Sequence, residues 1–139
     1  MNLKNFKIAA DRTAFEREGE YYDLHNCYDF VGFHYEALKK QLSFDWKIKV
    51  SETKSTHGAD VICLVVNEAY FFELVEQGRD MKNTEHDRLS SVGFLWHGLF
   101  EEMGVCFSHQ PDEASTHLML EFESGLAIKV KGESVTLIV

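Results

Sequence analysis

The chain has 139 residues, 45% of them hydrophobic and 27% charged, with 9 Gly and a single Pro. That length makes one domain, residues 1–139, burying roughly two-thirds of its unfolded surface, and the composition excludes disorder, collagen-like repeats and a Pro-rich linker. Formal net charge is −9, and residues 68–123 hold 12 acids against 3 bases, so that segment carries the whole excess.

An acidic surface repels phosphate backbones and anionic membranes, which argues against nucleic acid and membrane partners. It suits a basic protein partner, or serves as a solubilising face. The longest apolar run, Val61 to Val66, is far short of the roughly 20 residues of a membrane span. No apolar h-region follows Met1-Asn2-Leu3-Lys4-Asn5, so no signal peptide is expected. Cys27, Cys63 and Cys106 are odd in number and far apart, which points to a reducing cytoplasm rather than a disulfide scaffold.

Strand signals dominate along the chain. Phe6 and Ile8 alternate near the start, and Phe15 to Tyr22 around Gly19 reads as a hairpin. Val31, Phe33 and Tyr35 alternate with Gly32, His34 and Glu36. After a short connection over Ala37 to Gln41, apolar residues occupy 42, 44, 46, 48 and 50, with polar residues between. That period of two is a half-buried antiparallel strand. Asp60 to Val66 reads as a continuous, fully buried strand. Tyr70 to Glu76 fits either a strand or a helix running from Asn67 to Gly78.

Gly78 to Thr84 reads as a loop. Asn83 or Thr84 can cap a helix through Val92, with Glu85 and Asp87 in its first turn and Gly93 as its end. Leu95, Leu99 and Met103 have helical spacing before Gly104. The C-terminus reads as a three-stranded meander. Leu118, Leu120 and Phe122 are followed by a Ser124-Gly125 turn; then come Leu126, Ile128 and Val130, a turn at Gly132-Glu133-Ser134, and Val135, Leu137 and Val139.

The expected fold is therefore mainly β, at the margin of α+β. It would be an antiparallel sandwich or strongly curved sheet with one or two short helices, its core filled by aromatic residues.

Chemical motifs are sparse. Cys106-Phe107-Ser108-His109, with His117 beyond, has the spacing of half a zinc site but lacks the second ligand pair. A buried thiol and a loop histidine account for it, and neither metal nor cofactor is implied. Asp23 and His25, joined by His34, could bind a metal or move protons. The alternative is an Asp in a turn and a His held by backbone hydrogen bonds. No Gly-x-Ser-x-Gly elbow or phosphate-cradling Gly cluster is present, so no catalytic residue is assigned. Trp96, beside His97, Phe100, Glu101 and Glu102, has the makeup of an interface anchor, or else belongs to the core.

Three stretches carry a resemblance: Tyr22-Asp23-Leu24-His25, Leu89-Ser90-Ser91-Val92-Gly93-Phe94, and Leu120 to Val130. Together they resemble small bacterial proteins grouped with the immunity proteins of polymorphic-toxin systems. That resemblance implies a β-rich single domain and no catalytic residues. The leading expectation is a cytoplasmic, non-enzymatic binding protein, an immunity-type inhibitor of a basic toxin. Its partner-binding residues would be Trp96, Glu101, Glu102, Asp112 and Glu113. A small metal-dependent enzyme using Asp23, His25 and His34 is the alternative, and a structural or homo-oligomerisation module a third.

Overall fold

In the computed structural model, which describes residues 1–49, 59–76, 87–96, 107–111 and 115–139, every regular element is a β-strand. In chain order these are β1 (Asn2–Leu3), β2 (Lys7–Ile8), β3 (Ala14–Arg17), β4 (Glu20–Asp23), β5 (Tyr28–Glu36), β6 (Gln41–Ile48) and β7 (Val61–Asn67). They continue with β8 (Phe71–Glu76), β9 (Leu89–Trp96), β10 (Phe107–Ser108), β11 (Ser115–Phe122), β12 (Leu126–Lys131) and β13 (Ser134–Ile138). No helix among the described residues is long and apolar enough to cross a membrane.

The strands form three sheets. The first has the order β1-β13-β7-β6-β5, the second β10-β9-β11-β12-β8, and a small third β2-β3-β4. Pairing is antiparallel throughout except for β1 beside β13. All three sheets contribute to one apolar cluster, including Phe15 from the third, Trp46, Leu64 and Leu137 from the first, and Phe94, Leu120 and Ile128 from the second. This is sandwich-like packing, as the alternating patterns require.

The first sheet follows the sequence closely. On β6, Leu42, Phe44 and Trp46 are buried while the residues between them are more open. β7 alternates as well, with Ile62, Leu64 and Val66 fully buried but Val61 51% exposed. The expectation of a strand buried on both faces is thus corrected, because only one face meets the core. The Gly19 hairpin is present, and Glu18 and Gly19 both have positive φ (54° and 89°), the geometry of the tight turn that joins twisted strands.

Two further expectations fail for identifiable reasons. Leu89 to Val92 is strand, not helix, and Gly93 lies mid-strand opposite Met119. Glu121 pairs with Ser91 and Phe122 with Leu89, so Ser90 is an extra, bulged residue. The bulge puts Leu89 and Val92 on one face at a spacing that mimics a helical turn. Leu95 is strand too; Leu99 and Met103, like the Gly78–Thr84 loop and its caps, lie outside the described residues.

The C-terminal meander also breaks. β11 and β12 form the expected hairpin, with Gly125 at φ 87°, but β13 leaves the second sheet and pairs with β7 and β1 in the first. The crossing is made at Gly132. A Cβ there would lie 2.6 Å from Val66 Cγ1 and 2.7 Å from the Asn67 carbonyl oxygen. The next residue, Glu133, donates its N–H to that same carbonyl at 3.0 Å. Beyond β13, the Asn5 side chain stands in for a neighbouring strand. Its Nδ2 donates to the Leu137 carbonyl at 2.8 Å and its Oδ1 accepts from the Leu137 N–H at 2.9 Å.

Gly132→Ala therefore forces backbone apart at the only point where β12 hands the chain to β13. It is expected to lower stability by about 1–3 kcal/mol in urea unfolding, the cost of overpacking a tight site. An unchanged unfolding midpoint would contradict this packing.

Candidate protein-binding groove

The site begins with a bulge in β5. Phe30 pairs with Trp46 and Gly32 with Asp45, leaving Val31 as an extra residue that is 68% exposed. Before the bulge, Tyr28 and Phe30 face the core; after it, parity is reset and Phe33 and Tyr35 take that side. Phe33 lies 6.4 Å from Phe44 between ring centroids, and Tyr35 sits opposite Leu42. Simple alternation through Val31, Phe33 and Tyr35 is corrected accordingly, since Val31 does not share their face.

The matching wall comes from β8, at the edge of the second sheet. Phe72 and Leu74 pair with Val130 and Ile128, both fully buried, so they carry the core face of that sheet outward to solvent. Phe72 is 39% and Leu74 49% exposed. The Phe33 and Phe72 rings meet at 4.9 Å and join the two sheet edges. Between them lies an open groove of about 340 Å³ lined by Phe33, Tyr35, Leu42, Ala69, Tyr70, Phe71 and Phe72.

One end of the groove is fixed by two turns. Ala69 donates its N–H to the Lys40 carbonyl at 2.8 Å, and Lys40 pairs with Glu68 at 3.5 Å. Both Lys40 and Glu68 have positive φ (49° and 48°), so the turn backbones are held in a sparsely populated conformation to make this contact. Nearby charges are largely matched: Lys39 meets Glu36 at 3.0 Å and Lys129 meets Glu73 at 3.8 Å. Exposed pairs of this kind contribute little to stability. The aromatic surface is the distinctive chemistry here, since exposed, clustered aromatic side chains mark interaction sites more than scattered ones do.

The residues singled out by sequence are placed differently. Trp96 is the last residue of β9, with its backbone paired to Ser115. Glu101, Glu102, Asp112 and Glu113 lie outside the described residues, as do His97, Phe100 and Cys106. His117, on β11, packs edge-on against Phe71 at 4.9 Å.

The Asp23, His25 and His34 grouping does not assemble. Both Asp23 carboxylate oxygens accept hydrogen bonds from Asn26, at 2.9 Å each. His25 donates Nδ1–H to the Leu89 carbonyl at 2.7 Å. His34 lies beyond the bulge, paired with Ser43. Among the described residues, no three His, Cys, Asp or Glu side chains converge on a metal position. Asp23, His25 and His34 are thus not brought together, and a turn Asp with a backbone-held His describes the segment.

Cys63 is no nucleophile either. Burial, then a hydrogen bond and the charge of Asp45, push its thiol up to about 12, so it stays protonated at neutral pH.

The groove does leave one signal in the sequence. Tyr70-Phe71-Phe72 places three aromatic residues in succession at the start of a strand, where a single buried face accommodates only alternate ones. The double variant Phe33→Ala/Phe72→Ala should remove most binding of an apolar fluorescent dye at modest cost to stability. Phe44→Ala in the closed core should lose about 3–5 kcal/mol in urea unfolding. Equal losses in stability for the two variants would mean the groove is not open.

No known protein family, curated protein or solved structure matches the chain, so the functional reading rests on this geometry.

Proposed function

We propose that this chain is a non-enzymatic binding protein that engages a basic protein partner through the aromatic groove between β5 and β8. In its specific form it is an immunity-type inhibitor that covers a basic toxin in the cytoplasm. The observation that carries the reading is the groove, where aromatic residues of two sheet edges lie open to solvent instead of closing the core. The net charge of −9 supports a basic partner, and three cysteines, odd in number and far apart in sequence, suit a reducing compartment. The sequence resemblance to immunity proteins points the same way.

The acids of the 68–123 segment have a kinetic role in this reading. Long-range attraction accelerates encounter more than it deepens affinity, whereas aromatic anchors control dissociation. The test is co-expression with small basic proteins encoded beside the gene, followed by growth, co-purification and stopped-flow association. Wild type should protect cells and co-purify with the partner, and Phe33→Ala/Phe72→Ala should fail at both. Changing Glu101, Glu102, Asp112 and Glu113 to Gln or Asn should slow association and flatten its salt dependence, leaving folding stability nearly unchanged. Protection by the groove variant equal to wild type, or no basic partner among the neighbours, would overturn the proposal.

A further inference from the structure

Two strand edges border the groove, and they are not equivalent. β5 is the outer strand of the first sheet and β8 of the second, each pairing on one side among the described residues. The β5 edge is blunted. Its Phe30 N–H is taken by the Asp87 carbonyl at 2.7 Å, and the bulge at Val31 breaks its register immediately afterward. Bulges of this kind twist an edge away from further pairing.

β8 carries no such device. Its pairing with β12 runs through six consecutive partners, from Lys131 with Phe71 to Leu126 with Glu76, without a shift. It contains no Pro, and Phe71, Phe72 and Leu74 are 38%, 39% and 49% exposed across its two faces. A regular apolar edge is a template for an added strand. A strand placed there, about 4.8 Å away, would present every second side chain on the groove side, beside Phe72 and opposite Phe33 and Tyr35.

Charge selects among occupants. A second copy would bring −9 against −9, whereas a basic segment is attracted. Its cationic side chains would lie on the opposite face of β8, beside the half-exposed Glu73, which Lys129 approaches only to 3.8 Å.

We propose that β8 is the docking edge of this protein, where an extended, basic segment of a partner protein, apolar at alternate positions, adds as a further strand and fills the aromatic groove. The inference rests on the binding reading above and specifies how the site works.

It is tested with the full chain and three short synthetic peptides. One alternates lysine with valine or leucine, the second replaces lysine by glutamate, and the third is the lysine peptide N-methylated along one backbone edge. The lysine peptide should bind and slow amide exchange within 71–76 more than within 31–36. N-methylation and the glutamate replacement should each weaken binding about tenfold or more, the equivalent of one good interaction lost.

Equal binding of the N-methylated peptide without β8 protection would overturn strand addition while leaving the groove as a side-chain site. Failure of the lysine peptide to bind would overturn strand addition too; the co-expression experiment separately decides whether the groove binds a basic protein. Concentration-dependent β8 protection in the protein alone would assign the edge to a second copy and overturn the proposal.

Discussion

A line of aromatic rings through Trp46 holds the three sheets together, and the rest of the structure depends on it. Phe6 meets Phe15 at 5.1 Å, Phe15 meets Trp46 at 6.1 Å, Trp46 meets Phe30 at 5.2 Å, and Phe30 meets Phe122 at 4.8 Å. From Phe6, just before β2, the line passes through Phe15 of the third sheet, crosses the first and ends in the second. Trp46 is fully buried although its indole N–H has no hydrogen-bond partner among the described residues. Leaving a buried donor unmet costs about 1–3 kcal/mol. Burying an aromatic side chain of 150–250 Å² stabilises by about 4–6 kcal/mol at 25 cal/mol per Å². Packing wins, and the indole stays inside.

The same arrangement explains why the opposite side stays open. β5 supplies Phe30 to this line, and the bulge at Val31 then lets the strand present Phe33 and Tyr35 to the core side farther along. There the facing residues of β8 lie at the sheet edge, so Phe33 and Phe72 touch each other but remain accessible. One strand thereby serves a closed core at its start and lines an open aromatic groove at its end. At the other margin of the first sheet, β1 and the Asn5 amide cover β13, so the two margins of that sheet are treated oppositely. This asymmetry is what makes the groove a candidate for partner binding.

Much of the fold is legible from residue patterns, and the failures share a cause. Leu42 to Ile48 and the Gly19 hairpin are visible because period-two burial and turn chemistry are local. A bulge is not visible. Ser90 disguises β9 as helix, and Val31 makes β5 look uniformly alternating. Alternation also cannot say which sheet a strand joins, so β13 reads as the third strand of a meander when it belongs across the core. The site suffers most, because acidic residues draw attention by charge. Phe33 and Phe72 are distant in sequence and become a groove only through tertiary pairing.

The aromatic residues divide into a closed core line and an open groove. Hydroxyl-radical footprinting read by mass spectrometry tests this division directly, residue by residue. Phe33, Tyr35, Tyr70, Phe71 and Phe72 should be readily oxidised, while Phe15, Phe44, Trp46 and Phe122 should be protected until the chain unfolds. Protection of Phe33 and Phe72 equal to that of Phe44 and Trp46 would contradict the account, because the mouth of the sandwich would then be shut.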